Sequence, residues 1–172
     1  DGGAIIGNSS ITKTTFINNR AIGGDGGAVY GGYFGTVTNS SFSNNTATGN
    51  GGAVRGPLIF VNNTFSGNSA TGLGAAIYVD SPGVNAPGLN LINSVFYGHY
   101  TPAIYATLAY KLNNNLIDTG TGIAGSTPLM AGNVAPGATS PFVDAANGNL
   151  RLLAGSRAID AGLDPNSTAF AN

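Results

Sequence analysis

The acidic residues are the first place to look for chemistry, and the chain contains seven of them, all Asp. Hydrolysis of a glycosidic bond needs two facing carboxyl groups, and calcium needs several oxygen ligands at one point. Asp25, Asp80 and Asp118 lie in predicted turns, whereas Asp144 and Asp160 lie far along the chain. This scatter favours neither a catalytic pair nor a calcium site, so we expect a protein that is not an enzyme.

Other residue types that commonly carry chemistry are rare. The chain has no Cys and a single His, His99, so a thiol nucleophile, a His-rich metal site and a Ser-His-Asp triad all lack support. Residues 23–27 form a Gly-Gly-Asp-Gly-Gly turn, but calcium-binding turns of this type need Asp in successive repeats, and Asn50 holds the next equivalent position. We expect no metal and no cofactor, and we interpret His99 as a turn residue.

Three tyrosines share a position that favours a contact surface. Tyr30, Tyr78 and Tyr105 each directly follow a Val or Ile that is expected in the core, so alternation should place them on the outer face of one sheet. Arg55 holds the corresponding place between Tyr30 and Tyr78, where we expect it to be solvated. Two interpretations stay open, namely contact with sugar rings or a protein neighbour, and packing of each Tyr on the next.

Five Asn-x-Ser/Thr sequences are candidates for N-glycosylation. We favour Asn8, Asn44 and Asn166 as acceptors. Asn39 and Asn62 belong to a repeated turn position, where we expect buried side chains that could not carry a glycan.

Charge and hydropathy exclude two classes of partner. Six Lys and Arg against seven Asp give a net charge of -1, which leaves no basic patch for nucleic acid. No apolar run approaches the roughly 18 residues that span a bilayer. Low charge with 28 Gly and many Asn, Ser and Thr favours turns and strands over helices, so we expect an all-β fold.

An internal repeat predicts the elements that position these residues. The block Gly-Gly-Ala-Ile at residues 2–5 returns as Gly-Gly-Ala-Val at 26–29 and 51–54, with weaker copies at 74–77 and 101–104. Regular spacing of this kind indicates one solenoid coil per repeat. A second motif, Phe followed three positions later by Asn, lies between these blocks.

Aligning the copies on Phe produces columns of equivalent residues. The Phe column is Phe16, Phe42, Phe65 and Phe96; the column three positions earlier is Asn39, Asn62 and Asn93; the column three positions later is Asn19, Asn45 and Asn68, continued by His99; and a small polar column two positions before Phe is Thr14, Ser40, Asn63 and Ser94. Each copy alternates apolar and polar residues over a few positions and then breaks at Gly or Asn, which is typical of short strands joined by tight turns.

These patterns predict a single right-handed parallel β-helix of about five to six coils. Equivalent residues would stack about 4.8 Å apart, with the Phe and Val/Ile columns inside and the Asn columns at bends. We assign residues 1–125 to the coils and 126–172 to an irregular C-terminal capping segment of the same domain. The first coil has no visible capping sequence, so we expect self-association through the solenoid ends.

Two families share these motifs. The Gly-Gly-Ala-(Ile/Val) and Phe-x-x-Asn pairing over residues 2–105 resembles the repeats of chlamydial polymorphic membrane proteins, which are autotransporter adhesins. The C-terminal run through Gly155-Ser156-Arg157-Ala158-Ile159-Asp160-Ala161-Gly162 resembles the terminal motif of secreted choice-of-anchor β-helix proteins, with Arg157 in place of the usual Pro.

These resemblances imply export to the cell surface or the extracellular space, and they carry over no catalytic residue. We therefore expect a non-enzymatic structural or adhesive surface protein, with a filament subunit as one form of it. The alternative is a β-helix protein that binds or processes carbohydrate, with a host or matrix glycan as its partner.

Overall fold

A computed structural model describes residues 1–7, 10–31, 35–56, 59–80, 88–107, 110–118, 123–125 and 129–162. Regular structure in these residues consists of short β-strands, of which each of the first three coils contributes four. Their bounds are β1 Ile5–Gly7, β2 Ser10–Thr12, β3 Thr15–Ile17, β4 Arg20–Ala21, β5 Val29–Gly31, β6 Thr36–Thr38, β7 Ser41–Ser43, β8 Thr46–Ala47, β9 Val54–Arg55, β10 Ile59–Val61, β11 Thr64–Ser66 and β12 Ser69–Ala70.

The later coils have fewer strands. The fourth coil contributes β13 Ile77–Val79, β14 Asn90–Ile92 and β15 Val95–Tyr97, the fifth contributes β16 Ile104–Ala106, β17 Lys111–Asn113 and β18 Leu116–Ile117, and the sixth contributes β19 Ile123–Gly125 and β20 Leu129–Ala131. An antiparallel hairpin follows, with strands β21 Phe142–Asp144 and β22 Asn149–Leu152.

Equivalent strands of successive coils pair in parallel and form four ladders. The first ladder is β1, β5, β9, β13, β16 and β19; the second is β2, β6, β10, β14, β17 and β20; the third is β3, β7, β11, β15 and β18; and the fourth is β4, β8 and β12. The predicted all-β parallel β-helix is therefore confirmed. The number of regular turns is slightly smaller than the five to six expected, because in the described residues only the first three coils contain all four strands.

The fourth ladder ends because the chain shortens its path between the third and first ladders. Twelve residues separate Phe65 from Ile77, but only eight separate Phe96 from Ile104. Pro102 lies in the shortened stretch, where it cannot donate a ladder hydrogen bond. The shorter path leaves no room for another strand of the fourth ladder.

The core is built from stacked columns of identical or similar side chains. Phe16, Phe42, Phe65 and Phe96 lie one above the other in the third ladder, with successive ring centroids 4.8, 4.7 and 4.6 Å apart and nearly parallel planes. All four rings are buried, and Phe60 packs edge-on against Phe65 at 5.6 Å. Stacked apolar columns therefore fill the interior, as the alignment predicts.

The two glycines of each Gly-Gly-Ala block have different structural roles at the same corner of the coil. Gly51 has a φ of 66°, which residues with a Cβ rarely adopt. A Cβ on the following Gly52 would clash with the backbone carbonyl oxygen of Ala75 in the next coil. The paired glycines therefore allow a tight turn and a close approach between coils.

The Asn residues of the second corner separate into outer and inner positions. Asn39, Asn62 and Asn93 have φ values of 52°, 56° and 52°, in the left-handed region that Asn tolerates. Asn39 and Asn62 are exposed, so the expectation that their side chains are buried is wrong. The left-handed residue lies on the outside of the bend and turns the next residue inward, which is why Ser40 and Asn63 are buried instead.

Residues 129–134 continue the solenoid, and the chain then leaves the coil path. β20 pairs in parallel with β17, and Val134 bridges to Leu116, so the coil path extends beyond residue 125. The later segment lies against the flank of the solenoid, where the ring of Phe142 contacts Tyr97 edge-on at 6.2 Å. Asn114 Nδ2 also donates to the carbonyl oxygen of Ala161 at 3.2 Å.

Candidate functional site

The outer face of the first ladder carries the most distinctive set of side chains in the described residues. Tyr30, Arg55, Tyr78 and Tyr105 occupy directly paired positions of β5, β9, β13 and β16, and we call these four residues the tyrosine–arginine column. The residue before each one points inward and is fully buried. Alternation along each strand therefore places the column on the outside, as the sequence predicts.

Arg55 connects the column to two carboxylates. Its guanidinium carbon lies 4.6 Å from the centroid of the Tyr30 ring, and Nη1 donates to Tyr30 Oη at 2.5 Å. Nη2 donates to Asp80 Oδ2 at 2.6 Å, and Nε lies 3.7 Å from Asp25 Oδ2. The expectation that Arg55 is an isolated solvated residue is therefore wrong, because its side chain is only 22% exposed.

The charges of this cluster shift two pKa values. Burial lowers the pKa of Arg55, but the nearby Asp80 carboxylate and the other neighbours outweigh it, so the net shift is upward. Burial, reinforced by Asp80, raises the pKa of the Tyr78 hydroxyl. Arg55 therefore stays charged and Tyr78 stays protonated at ordinary pH, which makes the Tyr78 hydroxyl a hydrogen-bond donor.

Tyr78 and Tyr105 form the aromatic end of the column. Their ring centroids are 5.7 Å apart and the rings are inclined by 15°, so they stack. Both side chains remain partly exposed, and their hydroxyls have no hydrogen-bond partner among the described residues. Ala124 pairs with Tyr105 in the sixth coil, so this strand position contributes no further ring to the stack. Tyr105 therefore packs on Tyr78, and contact of the exposed parts of these rings with sugar or with a protein neighbour stays a prediction.

The convergence of Asp25 and Asp80 on Arg55 is the feature that sequence analysis missed. Asp25 precedes β5 and Asp80 follows β13, so they belong to coils two turns apart and share no column. The stacking of the coils brings both within reach of the long Arg55 side chain. The available signal was the replacement of Tyr by Arg at one position of an otherwise aromatic column.

The Asn column three positions after Phe, which we call the inner asparagines, binds backbone groups of neighbouring coils. Asn45 Oδ1 accepts from the Asn19 N–H at 3.0 Å, and Asn68 Oδ1 accepts from the Asn45 N–H at 2.9 Å. Their amide nitrogens donate to carbonyl oxygens of Phe16 and Phe42 at the same corner. These side chains satisfy buried backbone groups where the coil bends, so they are structural.

His99 takes the inner Asn position in the fourth coil. Its Nδ1 lies 3.1 Å from the Asn68 carbonyl oxygen, and because a carbonyl only accepts, Nδ1 carries the proton. Burial lowers the pKa of His99, although its hydrogen bonds to backbone carbonyls oppose the shift. His99 is therefore a neutral turn residue that shares its position with the inner asparagines.

The candidate acceptors for glycosylation differ in what the structure describes. Asn44 is exposed at a turn with a φ of 54°. Asn8 and Asn166 lie outside the described residues. The exposure of Asn39 and Asn62 adds both to the accessible candidates.

The two carboxylates of this cluster are partners of Arg55. Asp25 and Asp80 face one guanidinium, which neutralises much of their charge. Within the described ranges, no group of three or more His, Cys, Asp or Glu residues is placed to hold a metal ion. The arrangement combines aromatic rings, hydroxyl groups and two carboxylates that share one guanidinium on the outer face of the first ladder.

The fold and this surface define the class of protein as a repeat-containing parallel β-helix with a weakly charged exterior. Residues 13–32, 39–57 and 64–80 match the Chlamydia polymorphic membrane protein (Chlamydia_PMP) repeat. Each match includes a third-ladder Phe and residues of the first-ladder strand of the next coil, so it contains both sequence motifs. The chain is thus similar to this repeat family, which suggests an outer-membrane or surface location.

The other comparisons add no relative. No curated protein matches the chain, and no solved structure does. Among the described residues there is no helix long and apolar enough to cross a membrane.

Proposed function

We propose that this chain is a non-enzymatic structural or adhesive module of a bacterial cell surface. The single observation that carries the proposal is the match of three successive segments to the polymorphic membrane protein repeat. The matched segments lie in the most regular part of the solenoid, where all four ladders are present. Repeats of this type build a stiff rod whose outer residues can vary without disturbing the core.

The absence of catalysis is part of the proposal and rests on electrostatics. A glycosidase needs one carboxyl group that holds a proton and a second that stays ionised. In the tyrosine–arginine column, both nearby carboxylates face the same Arg55 guanidinium. Each carboxylate is therefore a partner in an ion pair, and we propose no general-acid role for either.

As part of the structural role, we propose that copies of the chain associate through the solenoid ends. In the first coil, β1 to β4 pair on one side only, and Ile6, Ile17 and Ile22 are 67%, 50% and 76% exposed. Unpaired strand edges accept strands of another chain, and a second copy is the occupant we propose. A head-to-tail contact of this kind does not close on itself, so it would build a filament.

Carbohydrate binding or processing is the second candidate function, and the tyrosine–arginine column is the observation that favours it. Partly exposed aromatic rings beside hydroxyl and carboxylate oxygens are suited to sugar. Binding is compatible with an adhesive role, whereas processing requires an acid and base pair that we do not propose.

Display of the chain on a non-adherent bacterium tests the adhesive role. We expect cells that display the wild-type chain to adhere to host cells or matrix several-fold more than cells displaying an equal amount of the core variant Phe65→Ala. Soluble sugar release from a polysaccharide panel is measured in parallel. Equal adhesion at equal display would contradict the adhesive role, and sugar release by the wild-type chain would contradict the non-enzymatic assignment.

A further inference from the structure

The chemistry of the tyrosine–arginine column narrows the ligand that fits it. Arg55 is the only cationic member, and its guanidinium already contacts Asp80, Asp25 and the Tyr30 ring. Two carboxylates and one guanidinium give the cluster a formal charge of about -1 at neutral pH. An acidic polymer or a phosphate would therefore meet repulsion without a free cation to bind it.

The polar groups of the cluster match hydroxyl-bearing ligands. The hydroxyls of Tyr78 and Tyr105 have no partner among the described residues, and each can donate or accept. Asp80 uses Oδ2 to accept from Arg55, and Asp25 uses Oδ1 to accept from the Asn50 N–H. The carboxylates accept several hydrogen bonds each, so they retain acceptor capacity toward an incoming hydroxyl.

The size of the column argues against a protein partner. A stable protein interface buries about 800 Å² on each side. Even fully buried, a tyrosine contributes only about 150 to 250 Å², and the tyrosines of the column are already partly covered by stacking and by Arg55. A strip one residue wide fits an extended chain of sugar rings, whose apolar faces pack on aromatic surface.

We propose that the tyrosine–arginine column, together with Asp25 and Asp80, is a binding site for a neutral glycan. Tyr78 and Tyr105 supply the apolar contact and hydroxyl donors, the two carboxylates accept from sugar hydroxyls, and Arg55 fixes both carboxylates. The proposal deepens the surface-module function and rests on it for the biological setting, but the binding chemistry stands on the column alone.

Affinity electrophoresis of the purified chain through gels containing polysaccharide tests this site. The probes are neutral glucan, mannan, galactan and xylan, with alginate and polygalacturonate as acidic probes. We expect retardation by at least one neutral polymer and by neither acidic polymer. We also expect Tyr105→Ala to weaken binding about tenfold or more, as for a buried aromatic contact.

Tyr100 provides a matched control, because it is 93% exposed and lies outside the column. Tyr100→Ala should bind like the wild-type chain, and circular dichroism checks that each variant is folded. The proposal is overturned if no neutral polymer retards the chain, if acidic polymers bind as well, or if folded Tyr105→Ala and Tyr78→Ala variants bind normally. Glycan binding without adhesion of displaying cells would overturn the adhesive role alone. Adhesion of displaying cells together with unchanged glycan binding by Tyr105→Ala would overturn the glycan site alone.

Discussion

At the scale of single residues, neighbouring positions of one turn require different properties of the residue that occupies them. The outer position needs a left-handed backbone, which Asn62 adopts at a φ of 56°. The inner position needs a side chain that satisfies buried backbone groups, and Asn63 donates from Nδ2 to the Val37 carbonyl oxygen at 2.8 Å. Asn serves both needs because it combines tolerance of positive φ with a compact amide.

His99 leads to a prediction about pH. It is the only His in the chain, and burial places its folded pKa below the roughly 6.5 of an unfolded chain. The unfolded state therefore binds more protons in that interval, so stability is complete above about pH 6.5 and falls as the pH drops toward the folded value. Urea unfolding between pH 7.5 and 5 measures this loss.

The control for that prediction is His99→Asn, which places the residue of the inner Asn column in the fourth coil. We expect this variant to lose less stability on acidification than the wild-type chain, because Asn does not titrate. The same pH dependence in both proteins would show that His99 is not the source.

At the scale of elements, strands of two to four residues are too short to be stable alone. They persist because each one pairs with the strands above and below it and because its inward side chain joins a continuous column. Phe65 illustrates this, since its ring stacks on Phe42 and Phe96 and contacts Phe60. The ladder, and not the strand, is the unit of stability.

Removing one ring of the Phe column should therefore lower the stability of the fold substantially. We expect Phe65→Ala to lower the free energy of unfolding by about 3 to 5 kcal/mol, through lost burial and the cavity left behind. Ile59→Ala, at a strand position that is 38% exposed, should cost much less. Chemical denaturation of both variants checks the difference, and similar losses would contradict the central role of the column.

Much of the strand pairing and column stacking could be predicted from sequence, and the reason is geometric. Stacked coils place equivalent residues of the repeat side by side, so an alignment of the repeats is already a list of contacts. The Phe register confirms this at Phe16, Phe42 and Phe65. The end of the fourth ladder was not predicted, because it depends on how much chain the shorter coils have left.

At the scale of the whole molecule, contacts are made mainly between adjacent coils, as in other solenoids. In this chain the strands of the first coil pair on one side only, and Ile6 and Ile17 are exposed. The self-association that we propose would therefore use this edge.

This assignment predicts concentration-dependent assembly. We expect the mass measured by light scattering to rise with protein concentration. We expect the double variant Ile6→Lys/Ile17→Lys to stay monomeric, because two charged side chains would have to lose their hydration at the contact. Val143→Lys, at an exposed position of the C-terminal hairpin, should assemble like the wild-type chain. A monomeric wild-type chain at high concentration would contradict end-to-end association.

The sequence by itself determined the fold class, the period of the coils and the apolar columns that point inward, because all of these follow from the period of the repeat. Only the tertiary structure decided which non-equivalent residues meet. Asp25 and Asp80 converge on Arg55 because its long side chain reaches residues from two other coils. An alignment of the repeats compares equivalent positions, so it does not show contacts between non-equivalent ones. The exposure of Asn39 and Asn62 likewise depended on which side of the bend each residue occupies.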